Sequence, residues 1–270
     1  MRGQVAIAAA ALMLAVTLIL LVALPKRTFG PEVATETDAV ITREIQHLLR
    51  NAVEEAVFNT AMSADRLALE AADSGTNVDD IKKVLNNTFL ENLKFAIVDK
   101  AATYLALRGI YCKVRNALGE VGESTGAIYI KSVYVELQCT DSRTGLTKIA
   151  FINSKADVSV AGPKPVGFTK GVKITVKLYR DQQPIYLILY GSTLYAKRGG
   201  DDKPYVFSLL GSYSPKDAVW FFNVTEHHDI KLALPPEFAQ AGSDVQWSIV
   251  VAAASLGEGA GTVVVIRGSQ

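Results

Sequence analysis

Three histidines, two cysteines and a scatter of acidic side chains are the residues of this chain that could do chemistry. His227-His228-Asp229 is the strongest metal candidate by residue type. Two adjacent histidines at the start of a strand point to opposite faces, so they make a poor bidentate site. His47 stands beside Gln46 in an amphipathic stretch and reads as a solvated or interfacial side chain. No CxxC, HExxH, phosphate loop or nucleophile elbow occurs. Gly257-Glu258-Gly259-Ala260-Gly261 is glycine-rich but leads into a strand rather than a helix, which fits a hairpin better than an anion cradle. The spacing therefore assigns no catalytic, cofactor-binding or metal-binding residue, and the chain is expected not to be an enzyme. A hydrolase with an unrecognised site is the third functional reading; it would show as a pocket of converging acidic or histidine side chains.

The two cysteines, Cys112 and Cys139, carry more information. Ile110–Leu118 and Ala127–Cys139 are rich in valine, isoleucine and tyrosine, and Gly122-Glu123-Ser124-Thr125-Gly126 reads as a turn between them. Facing residues of an antiparallel pair lie at equal distances from the turn. The midpoint of positions 112 and 139 falls between Thr125 and Gly126. Cys112 and Cys139 are then opposite each other on the face carrying Ile110, Val114 and Leu137, at about 4.5–5.5 Å between Cβ atoms. The alternatives are a disulfide or two buried free thiols. A bridge implies an oxidising compartment or a hyperthermophile cytoplasm. Asn86-Asn87-Thr88 and Asn223-Val224-Thr225 add two glycosylation patterns, with Asn86 and Asn223 as acceptors.

The surrounding elements follow from periodicity. Ile41, Ile45, Leu48, Leu49, Ala52, Val53, Ala56, Val57, Thr60 and Ala61 form a helical stripe within Thr37–Ala72, with Arg43, Glu44, Arg50, Glu54 and Glu55 mostly away from it. The stripe either covers a sheet or packs as a stalk against other subunits. A second helix begins after an N-cap at Thr76 or Asn77, is helped by Asp79 and Asp80, and stops at Gly109. A third strand, Leu146–Val160, completes a meander in which Val133, Val135, Leu137 and Cys139 share one face. Ala161–Gly167 holds two prolines and two glycines and reads as a linker. Eight short strand patterns follow it, evenly spaced, which suggests an immunoglobulin-like sandwich. The expected fold is α+β: an N-terminal transmembrane helix, two amphipathic helices packed on a three-stranded antiparallel sheet, then an all-β sandwich. The expected domains are 1–30 as anchor or export signal, 31–160 as stalk and sheet, 161–169 as linker and 170–270 as sandwich.

Val5–Leu24 is twenty residues without a charge, about 30 Å as a helix, which matches a bilayer core. It is longer than the apolar core of a cleaved secretory signal and lacks the polar stripe of an interfacial helix. The lipid bilayer is thus the first expected partner. Arg2 flanks one side and Lys26-Arg27 the other, so the positive-inside rule casts no vote on orientation. Orientation rests on the cysteine pair, which places the bulk of the chain outside the cytoplasm. With 28 basic and 27 acidic side chains, nothing points to nucleic acid.

Met1-Arg2-Gly3-Gln4, followed at once by an apolar run, resembles the class III signal peptide of archaeal type IV pilin-like proteins. In that family a basic residue and a glycine precede the cut, and glutamine often becomes the first residue of the mature chain. The resemblance implies processing between Gly3 and Gln4 and a pilin-like layout of apolar helix, amphipathic helix and antiparallel sheet. The family often carries a serine and a glutamate early in the apolar run; Ala6 and Ala8 stand there instead. The glutamate is thought to neutralise a neighbour's amino terminus in the filament, which Ala8 cannot do. The expected function is therefore a non-enzymatic, membrane-anchored surface protein, a pilin-like accessory or filament component that meets other subunits through its helical stalk. The alternative is the ectodomain of a membrane sensor or assembly complex.

Overall fold

The structure is a computed structural model and describes residues 31–63, 77–124, 126–161, 172–180, 182–185, 188–198, 205–209, 229–232, 245–255 and 257–269. Two compact units are distinguished, Met1–Ile41 and Thr42–Gln270. The described part of the first is the opening of helix α1, Pro31–Met62. The account below concerns the second.

Helix α2 (Val78–Phe95) starts where Asn77 accepts a hydrogen bond from the Asp79 amide at 3.2 Å, with Asp79 and Asp80 in the first turn. This satisfies one orphan N–H and places two carboxylates at the positive end of the helix. A π-helical segment, Ala96–Ala102, links it to α3 (Thr103–Leu107). Gly109 ends α3 at φ 79°, with its N–H on the Ala106 carbonyl. Its own carbonyl accepts from the Ser142 amide at 2.8 Å, which ties the helix end to the turn after the second strand.

Ten strands follow: β1 Ile110–Ser124, β2 Ala127–Asp141, β3 Thr147–Ala161, β4 Val172–Arg180, β5 Gln183–Ile185, β6 Ile188–Arg198, β7 Tyr205–Leu209, β8 Asp229–Leu232, β9 Val245–Ser255 and β10 Ala260–Ser269. They form a single curled antiparallel sheet in the order β5-β4-β3-β2-β10-β9-β6-β7, with β1 also on β2 and β8 also on β4. This corrects the expected fold class. The chain is mostly β, and the strands after residue 170 are no separate immunoglobulin-like sandwich. β4 pairs with β3 from Ala161↔Lys173 to Ser154↔Arg180, and β10 pairs with β2 at Tyr129, Ile128 and Ala127. The physical reason is that β2 is long enough to share one edge, giving β3 its C-terminal half and β10 its first residues. The proline-rich linker pattern lies largely outside the described residues, between two strands that pair with each other. No helix among the described residues is long and apolar enough to cross a membrane; Val5–Leu24 lies outside them.

The hairpin β9–β10 is the centre of the core. Trp247, Ile249, Val251, Ala253, Val264 and Ile266 project from one face and pack with Val158 and Val160 of β3 and with Ile174, Val176 and Leu178 of β4. The opposite face, including Val250, Ala252, Val263 and Val265, is buried too. Each large side chain fully buried this way contributes about 1.5–3 kcal/mol. On that second face α1 comes close because glycine lets it. A Cβ on Gly261 would lie 2.8 Å from Val57 Cγ2, and one on Gly259 2.9 Å from the Arg50 Cα. Glu54 is buried there and accepts the Gly259 N–H at 2.9 Å. Of the helical stripe, Ile45, Leu49, Val53, Ala56 and Val57 are buried inside the fold. Glu54, expected on the solvated side, is on the packed one.

Candidate binding face

The β1–β2 hairpin carries the disulfide. Cys112 faces Cys139 in register, and a bond joins them. The pairing contains two irregularities that the midpoint argument did not include. One extra residue sits on β2 at Lys131 and one on β1 at Arg115. Each shifts the register by one, in opposite senses, so they cancel before the cysteines are reached.

With that register, β2 alternates from Ser132 onward. Val133, Val135, Leu137 and Cys139 are buried, while Ser132, Tyr134, Glu136 and Gln138 point the other way. The buried side faces the helices. Gly119 of β1, for example, has no Cβ, and one placed there would touch Phe89 at 3.5 Å and Asn86 Oδ1 at 2.6 Å. The outward side is set by the cross-strand partners. Tyr111, Thr140 and Thr147 form one row; Lys113, Gln138 and Ile149 the next; Leu118, Tyr134 and Asn153 a further one. Phe151 stands opposite Glu136. Tyr111 and Leu118 on β1 and Ile149 and Phe151 on β3 are each more than half exposed, so these two strands present apolar and aromatic side chains to solvent on either side of β2.

This face ends in a cavity of about 480 Å³ lined by Ser132, Asn153, Lys155, Tyr179 and Gln182. Ser132, Lys155 and Tyr179 are successive cross-strand partners on β2, β3 and β4, so they lie in one line about 4.8 Å apart. Asn153 is two residues from Lys155 on the same face. Gln182 lies in the β4–β5 turn at φ 70°, the one non-glycine residue at positive φ among the described residues. That conformation is uncommon outside glycine and asparagine-like residues, and it is found at the rim of this cavity.

The electrostatics of the face are mostly internal pairs. Glu120 accepts from Lys131 at 3.0 Å and from Ser132 at 3.1 Å, and these two bonds hold its carboxyl below the usual range. The same bond raises the Lys131 ammonium. Glu136 accepts from the Tyr134 hydroxyl at 3.0 Å, which keeps that phenol protonated above its ordinary value, and pairs with Arg115 at 3.3 Å. The carboxylates nearest the apolar rows are thus engaged. Lys155 lies close enough to Glu120 to add to the attraction that lowers that carboxyl, although the hydrogen bonds to Glu120 come from Lys131 and Ser132.

Other residues singled out by type are placed as follows. His47 is exposed on α1, with Asn51 Nδ2 3.3 Å from its Nε2. Asn86 is half-buried on α2, its amide oxygen enclosed against β1 without a hydrogen-bond partner. His227, His228, Asn223, Gly3 and Gln4 lie outside the described residues. Among the described residues no cluster of histidine, cysteine and carboxylate side chains is arranged to hold a metal. The cavity residues were not picked out from the sequence. The available signal was β3, where Ile149 and Phe151 are out of phase with Ile152, Val158 and Val160. Comparison with protein-family models, curated proteins and solved structures finds no match to this chain.

Proposed function

We propose that the chain is a non-enzymatic cell-surface protein, tethered to the membrane through the apolar segment Val5–Leu24 and displaying the outer face of β1–β4 to an extracellular partner. The observation that carries this reading is the Cys112–Cys139 disulfide. Such a bond forms and persists in an oxidising compartment, and an apolar run of twenty residues ahead of the domain is the kind of segment that delivers a chain there. The Arg2-Gly3-Gln4 resemblance favours a pilin-like accessory or filament component within this class. A sheet face with exposed aromatic side chains beside a polar cavity suits recognition, and its carboxylates Glu120 and Glu136 are paired with basic neighbours.

A second reading, the ectodomain of a membrane sensor or assembly complex, is favoured by a different surface. Phe95, Val98 and Leu107, on and just beyond α2, are exposed apolar side chains on the helical layer. Cross-linking from these positions to a different membrane protein would select it.

The test of the surface reading is labelling of intact cells with a membrane-impermeant amine reagent, followed by peptide mapping. Modification of Lys113 and Lys155 before lysis is expected. Modification only after lysis would overturn it. N-terminal sequencing of the native protein checks the pilin-like branch: a chain beginning at Gln4 is expected, and one retaining Met1 or Arg2 rejects that branch.

A further inference from the structure

We infer that the outer face of β1–β4 binds an acidic polysaccharide, with a carboxylate-bearing sugar seated in the cavity over Lys155. The inference rests on the surface-display reading and names the ligand class of that face. Three observations converge on it. The cavity lining is the set that recognises sugar hydroxyls: two carboxamides, Asn153 and Gln182, and two hydroxyls, Ser132 and Tyr179. The charged side chain among its described lining residues is a cation, Lys155, whose nearby carboxylate, Glu120, is already hydrogen-bonded to Lys131 and Ser132. Away from the cavity, the face continues with the half-buried Tyr134 one row up and the exposed Phe151 beyond it.

A small inorganic anion would need Lys155 alone and would make no use of those rings. A pyranose offers apolar C–H faces to stack on aromatic side chains and hydroxyls for the amides, and a uronic acid adds the carboxylate for the lysine. Rows on the sheet repeat about every 7 Å along a strand, so a ligand reaching from the cavity to Phe151 spans two to three rows and must be an oligomer. Charge complementarity runs the same way. Glu120 and Glu136 are paired with Lys131 and Arg115 and Asp157 stands opposite Lys177, so the two cations Lys113 and Lys155 add positive charge to a face whose carboxylates already have close basic neighbours.

The experiment is calorimetric titration of the full chain, held in nanodiscs, with an oligogalacturonate and with the same oligomer as its methyl ester. The acid is expected to bind at least tenfold more tightly than the ester. Lys155→Gln should lower affinity for the acid about tenfold and leave the ester unchanged, while Tyr179→Ala weakens both. Lys83→Gln, on the exposed side of α2, should alter neither. Circular dichroism and thermal melts confirm that each variant is folded. No binding of either oligomer at millimolar concentration overturns the inference, as does equal binding of acid and ester. Equal affinity for polyglutamate with the same dependence on Lys155 also overturns it, because the face would then be reading charge alone. None of these outcomes bears on the cell-labelling result, so the two readings fail separately.

Discussion

The hairpins β1–β2, with two 15-residue strands, and β9–β10, with strands of 11 and 10 residues, serve opposite purposes. From Ser132 onward β2 alternates, with one side buried against the helices and the other facing solvent. β9 and β10 do not alternate: from Trp247 to Ser255 and from Ala260 to Ile266, the side chains described are buried on both faces. The first hairpin can carry a binding face because half of its side chains are free to meet a ligand. The second cannot, but its two packed faces join the β3–β4 core to α1, and it holds the sheet together. The difference predicts unequal responses to substitution. Ile249→Ala removes a side chain 1% exposed from the middle of the core and should cost about 2–5 kcal/mol, read as a lowered urea midpoint at constant m-value. A loss below about 1 kcal/mol would mean that β9 is not the packing centre.

How far the sequence revealed these two hairpins follows from the same contrast. Local pattern was enough for β1–β2: Gly126 marks the turn, alternation sets the faces, and the cysteines share a register. Even there the outcome depended on something unread, since the extra residues Arg115 and Lys131 cancel. Neither breaks the hydrophobic pattern badly enough to announce a bulge. The sandwich expectation failed at β9–β10 for a physical reason. A run such as Trp247–Ala254 states that both faces are buried and does not say against what. Its partners, Val158 and Ile174, lie between about 70 and 100 positions away in the chain. Glycines that read as hairpin flexibility, Gly259 and Gly261, owe their place partly to the close approach of α1. The cavity was illegible because it draws on three strands and a turn, and no two of its residues except Asn153 and Lys155 share a strand.

The disulfide sharpens the comparison. β1 lies on one side of β2 only, and one face of the hairpin is solvated, so it has less burial to hold it than β9–β10. A covalent link across a separation of 27 residues compensates. In the chain-entropy model, closing a loop of that size contributes about 3–4 kcal/mol. The double variant Cys112→Ala/Cys139→Ala should lose roughly that much stability. Hydrogen exchange should then show the loss unevenly, with amides of β1 opening at lower denaturant than those of Val250 and Val264. Uniform opening of both hairpins would erase the distinction.

The smallest expected effect tests the solvated side of the same contrast. Phe151 is a large aromatic side chain on a central stretch of β3, where burial would be the ordinary expectation, yet it is 58% exposed and stands opposite Glu136. Replacing it by serine removes little buried area and opens no cavity, so stability should change by no more than about 0.5 kcal/mol. Isolated exposed apolar residues are common, but Phe151 shares its face with Ile149 on its own strand and with Leu118 and Tyr111 across β2, and four such side chains on one face are more than scattered surface residues. If the patch exists for a ligand, Phe151→Ser should leave the urea midpoint in place while weakening oligogalacturonate binding several-fold. A drop of 2 kcal/mol or more would show that Phe151 is covered in the folded protein, and that the outer face of β3 belongs to the core like β9.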